Sequence, residues 1–474
     1  MTEMRTETVA TGSWRELLGP KYLGASTVLA GGVALYATNE FLTISLLPSA
    51  VSEIGGDRLY AWVTTVYLVA SVMAATTVSG MLARFGPRRA YLLGLSVFAL
   101  GSIGCALAPT MEVMLAGRVV QGAAGGTVAG LGYAVINTAL PQALWRKASA
   151  LVSAMWGVGT LLGPASGGVF AQLGVWRWAF GALAILTVAV MILVPLSLPG
   201  RSDTQDRVPM RIPVWSLVIL GASALAISIA GIQRSVPLMV ALLVGGIALV
   251  GVFIVVDRRT AVSVLPQTAY SPGPFKWIYV TLGVLMAATM ANMYVPLYGQ
   301  RLAGLVPLTA GFLAVALSVG WTVSEIISAS VTAPARVVRI VAVAPLVMAI
   351  GWGATALSQA DSASPTVVGI WAVAMLVSGV GVGMAWPHLS VWAMGRVDDP
   401  AQGTVAAAAI NTVQLICGAF GAGLAGIVVN TVDRPDAVGA SWLFAVFAGL
   451  AALGCVASVR SGRGSQQAAD ASAV

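Results

Sequence analysis

Apolar runs, each about as long as a membrane crossing, fill this chain almost from end to end, and most charged residues fall in the short gaps between them. A hydrocarbon core of roughly 30 Å takes about 20 apolar residues of helix. Such runs fall at about 23–50, 59–83, 90–108, 112–140, 148–172, 179–199, 213–233, 236–256, 276–299, 305–330, 337–358, 366–394, 402–431 and 437–459. Helices pair their own backbone groups without help from a neighbour, so the pattern predicts an all-α polytopic membrane protein of 14 transmembrane helices. Two polar stretches break the rhythm: 200–212, GRSDTQDRVPMRI, and 257–275, DRRTAVSVLPQTAYSPGPF, the second rich in proline and turn residues. They isolate the seventh and eighth runs as a two-helix hairpin, about 213–256, inside a linker of residues 201–275. The parse is six plus two plus six, with six-helix bundles at 23–200 and 276–459.

Composition agrees with the pattern. Of 474 residues, 58% are hydrophobic and 9% charged. A soluble surface needs roughly a quarter of its residues charged, so this chain is solvated by lipid. A net charge of +8 would point to nucleic acid in a soluble domain, but here the basic residues read as topology. With the N-terminus in the cytoplasm, 19 of the 25 Lys and Arg residues fall in inner segments. Five, Arg58, Arg177, Arg234, Arg301 and Arg434, fall in outer ones, and Arg118 lies within a span. A missed or false helix would have inverted everything after it, so both termini are expected in the cytoplasm. Trp176, Trp178, Trp215, Trp277, Trp371 and Trp442 lie near span ends, where an aromatic belt belongs. Arginine outnumbers lysine 22 to 3, a sign of a GC-rich genome, and the expected location is a bacterial plasma membrane.

Residues 1–22 carry no secretory signal pattern. Ser13 and Glu16 are spaced as a capping box, and Trp14, Leu17 and Leu18 suit a lipid surface, so a short interfacial helix is expected there. The tail, 460–474, reads as disordered. Cys105, Cys417 and Cys455 all lie in apolar runs without metal-ligand spacing, and nothing calls for a metal or cofactor. Glycine clusters fall within spans and form no phosphate loop, and a single histidine with sparse acids offers no catalytic set. An enzyme is the weakest of the readings.

Three motifs carry more. The second span runs into SGMLARFGPRRAYLLG, a turn with Arg84, Gly86, Arg88 and Arg89. The fourth holds LAGRVVQGAAGG, which places Arg118 in the membrane at a cost of about 2.5–3.5 kcal/mol on insertion scales. It must face a partner or a wet cavity, or else snorkel outward. The fifth holds GVGTLLGPASGG, where Gly159, Gly163, Pro164, Gly167 and Gly168 suit close helix approach, generic packing included.

In this order and on these helices the three motifs resemble the signatures of the major facilitator superfamily, the fifth-span motif being the mark of its proton-coupled exporters. With 14 spans the chain is similar to the drug:proton antiporter branch, a resemblance extended by NEFLTISLLPSAVSEIGG, VWRWAF and AAAAINTVQLICGAFGAGL. Within that branch it is most similar to mycobacterial drug-efflux proteins. There are departures. The loop signature usually has an aspartate where this chain has Ala83 or Arg84, and the first-span signature has one where Asn39 and Glu40 stand.

The resemblance implies alternating access, no cofactor, and a proton gradient as energy source. The partners it implies are protons, the bilayer and amphipathic small molecules, cationic ones among them. Export of a native lipid or lipid-like metabolite is the alternative. A monomer is expected, and no nucleic acid. Four ionisable side chains lie well inside the spans: Glu40, Arg118, Glu325 and His388. A carboxylate away from water can titrate near neutral pH, which proton coupling requires. Glu40, about mid-membrane on a helix that lines the cavity in this family, is the expected proton or cation site, with a structural acid as the alternative. Arg118 is its expected modulator. Glu325 suits a gate paired with Arg336 or Arg339, and His388 either a gate or a satisfied packing histidine. Asn39, Asn292, Tyr294, Asn411 and Gln414 are candidate cavity contacts, or alternatively interhelical hydrogen bonds.

Overall fold

The computed structural model describes residues 13–200, 213–233, 235–260, 264–265, 270, 275–331, 333–394, 400–432 and 437–472. The polar stretch 201–212 and most of 257–275 therefore lie outside the described residues, as does the side chain of Asn411. Among the described residues every regular element is a helix.

Ser13 Oγ accepts the Glu16 N–H at 3.0 Å and starts a single helical turn, Trp14–Leu17, as the capping-box spacing predicts. Its faces divide differently from expectation. Trp14 and Leu18 are exposed, but Leu17 is buried in the core beneath Ser26, whose hydroxyl bonds the Leu17 carbonyl at 3.0 Å.

The first bundle comprises α1 (Leu23–Ile54), α2 (Tyr60–Ala75), α3 (Val78–Ala106), α4 (Met111–Ala134), α5 (Trp145–Gln172) and α6 (Arg177–Ser197). The hairpin is α7 (Val214–Ile232) and α8 (Val236–Arg259). In the second bundle, α9 runs Phe275–Thr289, tightens to a 3-10 stretch at Met290–Tyr294, and resumes as Val295–Ala303. Then follow α10 (Pro307–Ala329), α11 (Pro334–Leu357), α12 (Pro365–Met394), α13 (Pro400–Val432) and α14 (Ala437–Ser472). Among the described residues eleven helices are long and apolar enough to cross a membrane by length and composition. The others, α1, α4 and α5, carry Asn39 and Glu40, Arg118 and Gln121, and the glycine-rich motif, residues that lower mean hydropathy.

Three local differences from expectation have physical causes. The second run ends early at the turn of Thr76 and Thr77, and the chain breaks at Gly86, whose φ of 73° favours a residue without Cβ. Arg88 then caps the end of α6, donating to the Pro195 and Leu198 carbonyls at 2.6 and 3.2 Å. The last helix continues to Ser472, past the expected start of a disordered tail at 460, because alanine, arginine and glutamine sustain helix. Of the proposed belt, Trp178, Trp215 and Trp442 are exposed, but Trp176 and Trp371 are buried with their indole N–H groups on Glu53 and the Ser358 carbonyl.

Asp57, Tyr60, Tyr294, Arg301 and Asn430 meet at one end of the bundles, the distal end. The two bundles are joined at the distal end. Tyr60 stacks on Tyr294 with centroids 4.8 Å apart, and its hydroxyl donates to the Met293 carbonyl at 3.4 Å. Arg301 pairs with Asp57 at 3.0 Å, and Asn430 donates to the Arg58 carbonyl at 2.9 Å. Near the end of α8, Asp257 organises the linker. It accepts from the backbone of Val264 and Leu265 and from the Tyr270 hydroxyl at 2.7 Å. Burial and that carboxylate hold the Tyr270 hydroxyl well above its ordinary pKa.

Candidate functional site

The glycines of α4 and α5 set the site by letting backbones close in. A methyl group at Gly122, Gly125 or Gly126 would run into Tyr67, Tyr36 or Ser71, so α4 lies flush against α1 and α2. On α5, a Cβ at Gly159 would fall 2.5 Å from that of Ala37, and one at Gly163 2.5 Å from that of Phe41; Gly167 faces Leu42. Gly168 instead meets α10 at Leu308, and Pro164 lies inside a helix that runs from Trp145 to Gln172. The fifth-span motif is thus the seam between α5 and α1, and its last glycine touches the opposite bundle.

That packing buries Arg118 to 1% exposure and surrounds it with acceptors. Its Nε donates to the Val63 carbonyl at 3.2 Å, and one terminal nitrogen donates to Asn39 Oδ1 at 3.2 Å and Gln121 Oε1 at 2.9 Å. The guanidinium lies 4.0 Å from the ring centre of Tyr67. Gln121 is held in turn by Ser102, which accepts its amide at 2.8 Å, and by Cys105, whose thiol donates at 3.4 Å. Arg118 is therefore inside the bundle, and the snorkelling alternative falls away.

Glu40 is buried beside this network, with its Oε2 atom out of water and without a hydrogen-bond partner. Among the described residues no carboxylate lies within ion-pair distance of Arg118, so the two charges are coupled through space and not by contact. One turn before Glu40, Tyr36 stacks on Tyr67 (5.6 Å) and meets Trp156 edge-on (5.5 Å). Tyr36 and Asn39 are buried here too, close to Ser71 and Tyr67. The partnerless oxygen of Glu40 marks a place where a proton, water or ligand would be favoured.

The other expected residues divide. Asn292 donates to the Ala314 carbonyl at 3.1 Å, leaving Oδ1 buried and unpartnered, in the 3-10 stretch of α9. Gln414 is half-buried on α13. Tyr294 is a correction: it is 1% exposed and belongs to the Tyr60 stack joining the bundles, not to a cavity wall. Glu325 is another. It accepts from the Trp321 indole at 3.0 Å, one turn back on its own helix, while Arg336 and Arg339 are exposed and unpaired with it. His388 is buried with Nε2 2.9 Å from Ser328 Oγ, whose hydroxyl donates to the Met384 carbonyl. Arg84 lies 5.5 Å from the ring of Phe85, and Arg89 is exposed. Sequence reading missed Tyr36, Tyr67, Ser102 and Cys105. An isolated tyrosine or serine in an apolar helix carries no spacing signal, and only the fold shows which ones meet Arg118.

A family model described as Major Facilitator Superfamily matches residues 29–422. The chain is 56% identical over 467 residues to a Probable multidrug-efflux transporter of Mycobacterium tuberculosis, covering 97% of this chain and 98% of that one. It is 25% identical over 428 residues to Multidrug resistance protein 3 of Bacillus subtilis, covering 85% and 78%. Among solved structures, its fold is similar to a bacterial homolog of the human lysosomal transporter Spinster in an inward-facing, occupied conformation, with TM-score 0.65, 12% identity and coverage of 96% and 98%. A POT family transporter in complex with 5-aminolevulinic acid gives TM-score 0.66 at 14% identity, covering 94% and 96%.

Proposed function

Because this chain belongs to the Major Facilitator Superfamily, a family of multi-pass membrane transporters and not of enzymes, we propose that it is a proton-coupled exporter of amphipathic, cationic small molecules. The observation that carries the reading is Glu40: a buried acid with an unpartnered oxygen, beside an arginine whose hydrogen bonds are committed elsewhere. Such an acid can hold either a proton or a substrate cation. The two would compete for one carboxylate, and coupling follows if each occupant favours a different conformation of the bundles.

In this proposal all 14 helices cross the membrane with both termini in the cytoplasm, as the basic-residue tally supports. The distal end is then extracellular. The Tyr60–Tyr294 stack and the Asp57–Arg301 pair close it, so substrate would enter from the cytoplasm or inner leaflet. Substrate at Glu40 would favour rocking of the bundles about the midplane, and protonation from outside would displace it. Tyr36 and Trp156 supply an aromatic wall for the apolar part of the substrate. Multidrug efflux is what the named relatives support.

The test is transport in proteoliposomes under an imposed pH gradient, with a panel of cationic drugs and lipids, comparing the parent with Glu40→Gln. Gradient-driven movement of cations by the parent and its loss in the variant are expected. Undiminished gradient dependence without the Glu40 acid would overturn the proton-antiport reading.

A further inference from the structure

Helix α7 lies in the groove between α2 of the first bundle and α13 of the second. Near its start Leu217, Leu220, Gly221 and Ala224 close a small apolar pocket with Met73 of α2 and Phe420 of α13. Near its end it is fastened, and the fastening is one-sided. The Trp62 indole donates to the Ser228 carbonyl at 3.1 Å, and Arg58 donates to the Ile232 carbonyl at 3.4 Å; both donors stand on the first bundle's side. Towards α13 the contacts are of another kind. A Cβ at Gly423 would lie 3.1 Å from Ser228 Oγ, and one at Gly231 would lie 3.0 Å from the backbone of Ile427. Among the described residues no hydrogen bond links α7 to α13; the bond between the hairpin and α13 is the weaker one that Thr431 Oγ1 donates to the Met239 sulfur on α8 at 3.7 Å.

Sliding α7 along α2 would break two hydrogen bonds, whereas sliding it along α13 would break none and would cost only the apolar contact across the glycines. We infer that the hairpin travels with the first bundle as one body, while α13 slides along α7 during the transport cycle. The hairpin thereby covers the α2–α13 seam in every state. At the opposite seam α5 and α10 meet directly, at Gly168 and Leu308. An amphipathic substrate dissolved in the bilayer is then kept from the cleft on the hairpin side. The asymmetry comes from this chain's own bonding pattern, and it rests on the alternating-access reading given above.

Two disulfide pairs in a background free of Cys105, Cys417 and Cys455 test it. Val69→Cys with Gly221→Cys, whose closure is read from loss of free thiol, ties the hairpin to α2, and Ser228→Cys with Gly423→Cys ties it to α13. Oxidation of the first pair is expected to leave transport at the parental rate. Oxidation of the second is expected to abolish it, with recovery on reduction. Parental transport with the second pair closed, or loss with the first closed, would overturn the inference. A second measurement does not depend on transport. Spin labels replace the lipid-facing residues Val244 of the hairpin, Ile185 of the first bundle and Ile350 of the second. Between about pH 5 and about pH 8, the 244–185 distance should stay constant while the 244–350 distance shifts. The reverse, or no difference between the two, would sink the shared-body assignment even if the chain exported nothing.

Discussion

Arg118 donates to the Asn39 side chain at 3.2 Å and leaves Glu40, the next residue along α1, outside its hydrogen bonds. One residue is a turn of roughly 100° about a helix, so the neutral amide meets the arginine and the acid points elsewhere. A direct ion pair would have to be broken before Glu40 could take up a proton or cation. Here the arginine is satisfied by neutral acceptors, and the carboxylate is unpaired.

Asn39→Asp should reverse that economy. The new carboxylate would meet the Arg118 guanidinium and form a buried ion pair where a neutral contact now stands. Slower gradient-driven transport and an altered pH profile are expected in proteoliposomes. Rates and profile matching the parent would show that the arginine's partner is irrelevant to coupling.

Replacing Arg118 by Met should cost stability as well as transport. Asn39 Oδ1 would lose its donor inside the bundle, at about 1–3 kcal/mol for a buried group left unsatisfied, while the Val63 carbonyl keeps its helical bond. A lower melting temperature in detergent is the measurement. A variant as stable as the parent would mean that water already serves that acceptor.

The fifth-span glycines divide into tolerant and intolerant positions. Gly163→Val drives atoms into Phe41 and Leu42 and should destabilise by about 1–3 kcal/mol or block insertion. Gly157→Ala meets nothing within 4 Å and should be neutral or slightly stabilising. Thermal melts of the pair discriminate; equal behaviour would contradict the α1–α5 packing.

Tyr294→Ala should loosen the distal closure. Aromatic pairs contribute about 0.5–1.5 kcal/mol beyond burial, so the open fraction should rise by up to about tenfold. Breaking the exposed Asp57–Arg301 pair, worth about 0–1 kcal/mol, should do less. Labelling of a cysteine at Met293 by an impermeant thiol reagent reads both, and a larger effect from the ion pair would reverse the assignment.

Tyr270→Phe should cost about 1 kcal/mol through the lost Asp257 bond. The folded-state pKa of Tyr270 is raised, so the contribution is fully present below the ordinary tyrosine value of about 10 and is lost only as pH climbs through the higher folded value. The difference in melting temperature between parent and variant should therefore be flat from about pH 6 to about pH 9. A gap that closes within that window would mean the hydroxyl ionises early.

Helix positions were legible in the chain alone, because the hydrophobic run length and the polar gaps are local and a buried helix needs no partner to satisfy its backbone. So were Glu40 and Arg118, since an ionisable group is conspicuous in an apolar run. What each polar residue does was not legible. Tyr294 and Asn292 lie two apart, yet one closes the distal end and the other faces α10. Glu325 found Trp321 on its own helix in place of the arginines beyond the turn. Composition and periodicity, the sequence's own share, determined that this chain is a bundle of apolar helices with few charges inside. The tertiary structure decided that Arg118 rests on Asn39, that Glu40 is left unpaired, and that the Trp62 indole and Arg58 reach carbonyls of α7. Those outcomes depend on which side chains glycine-lined helices bring within about 3 Å, the hydrogen-bonding range, and no spacing along a single helix encodes that.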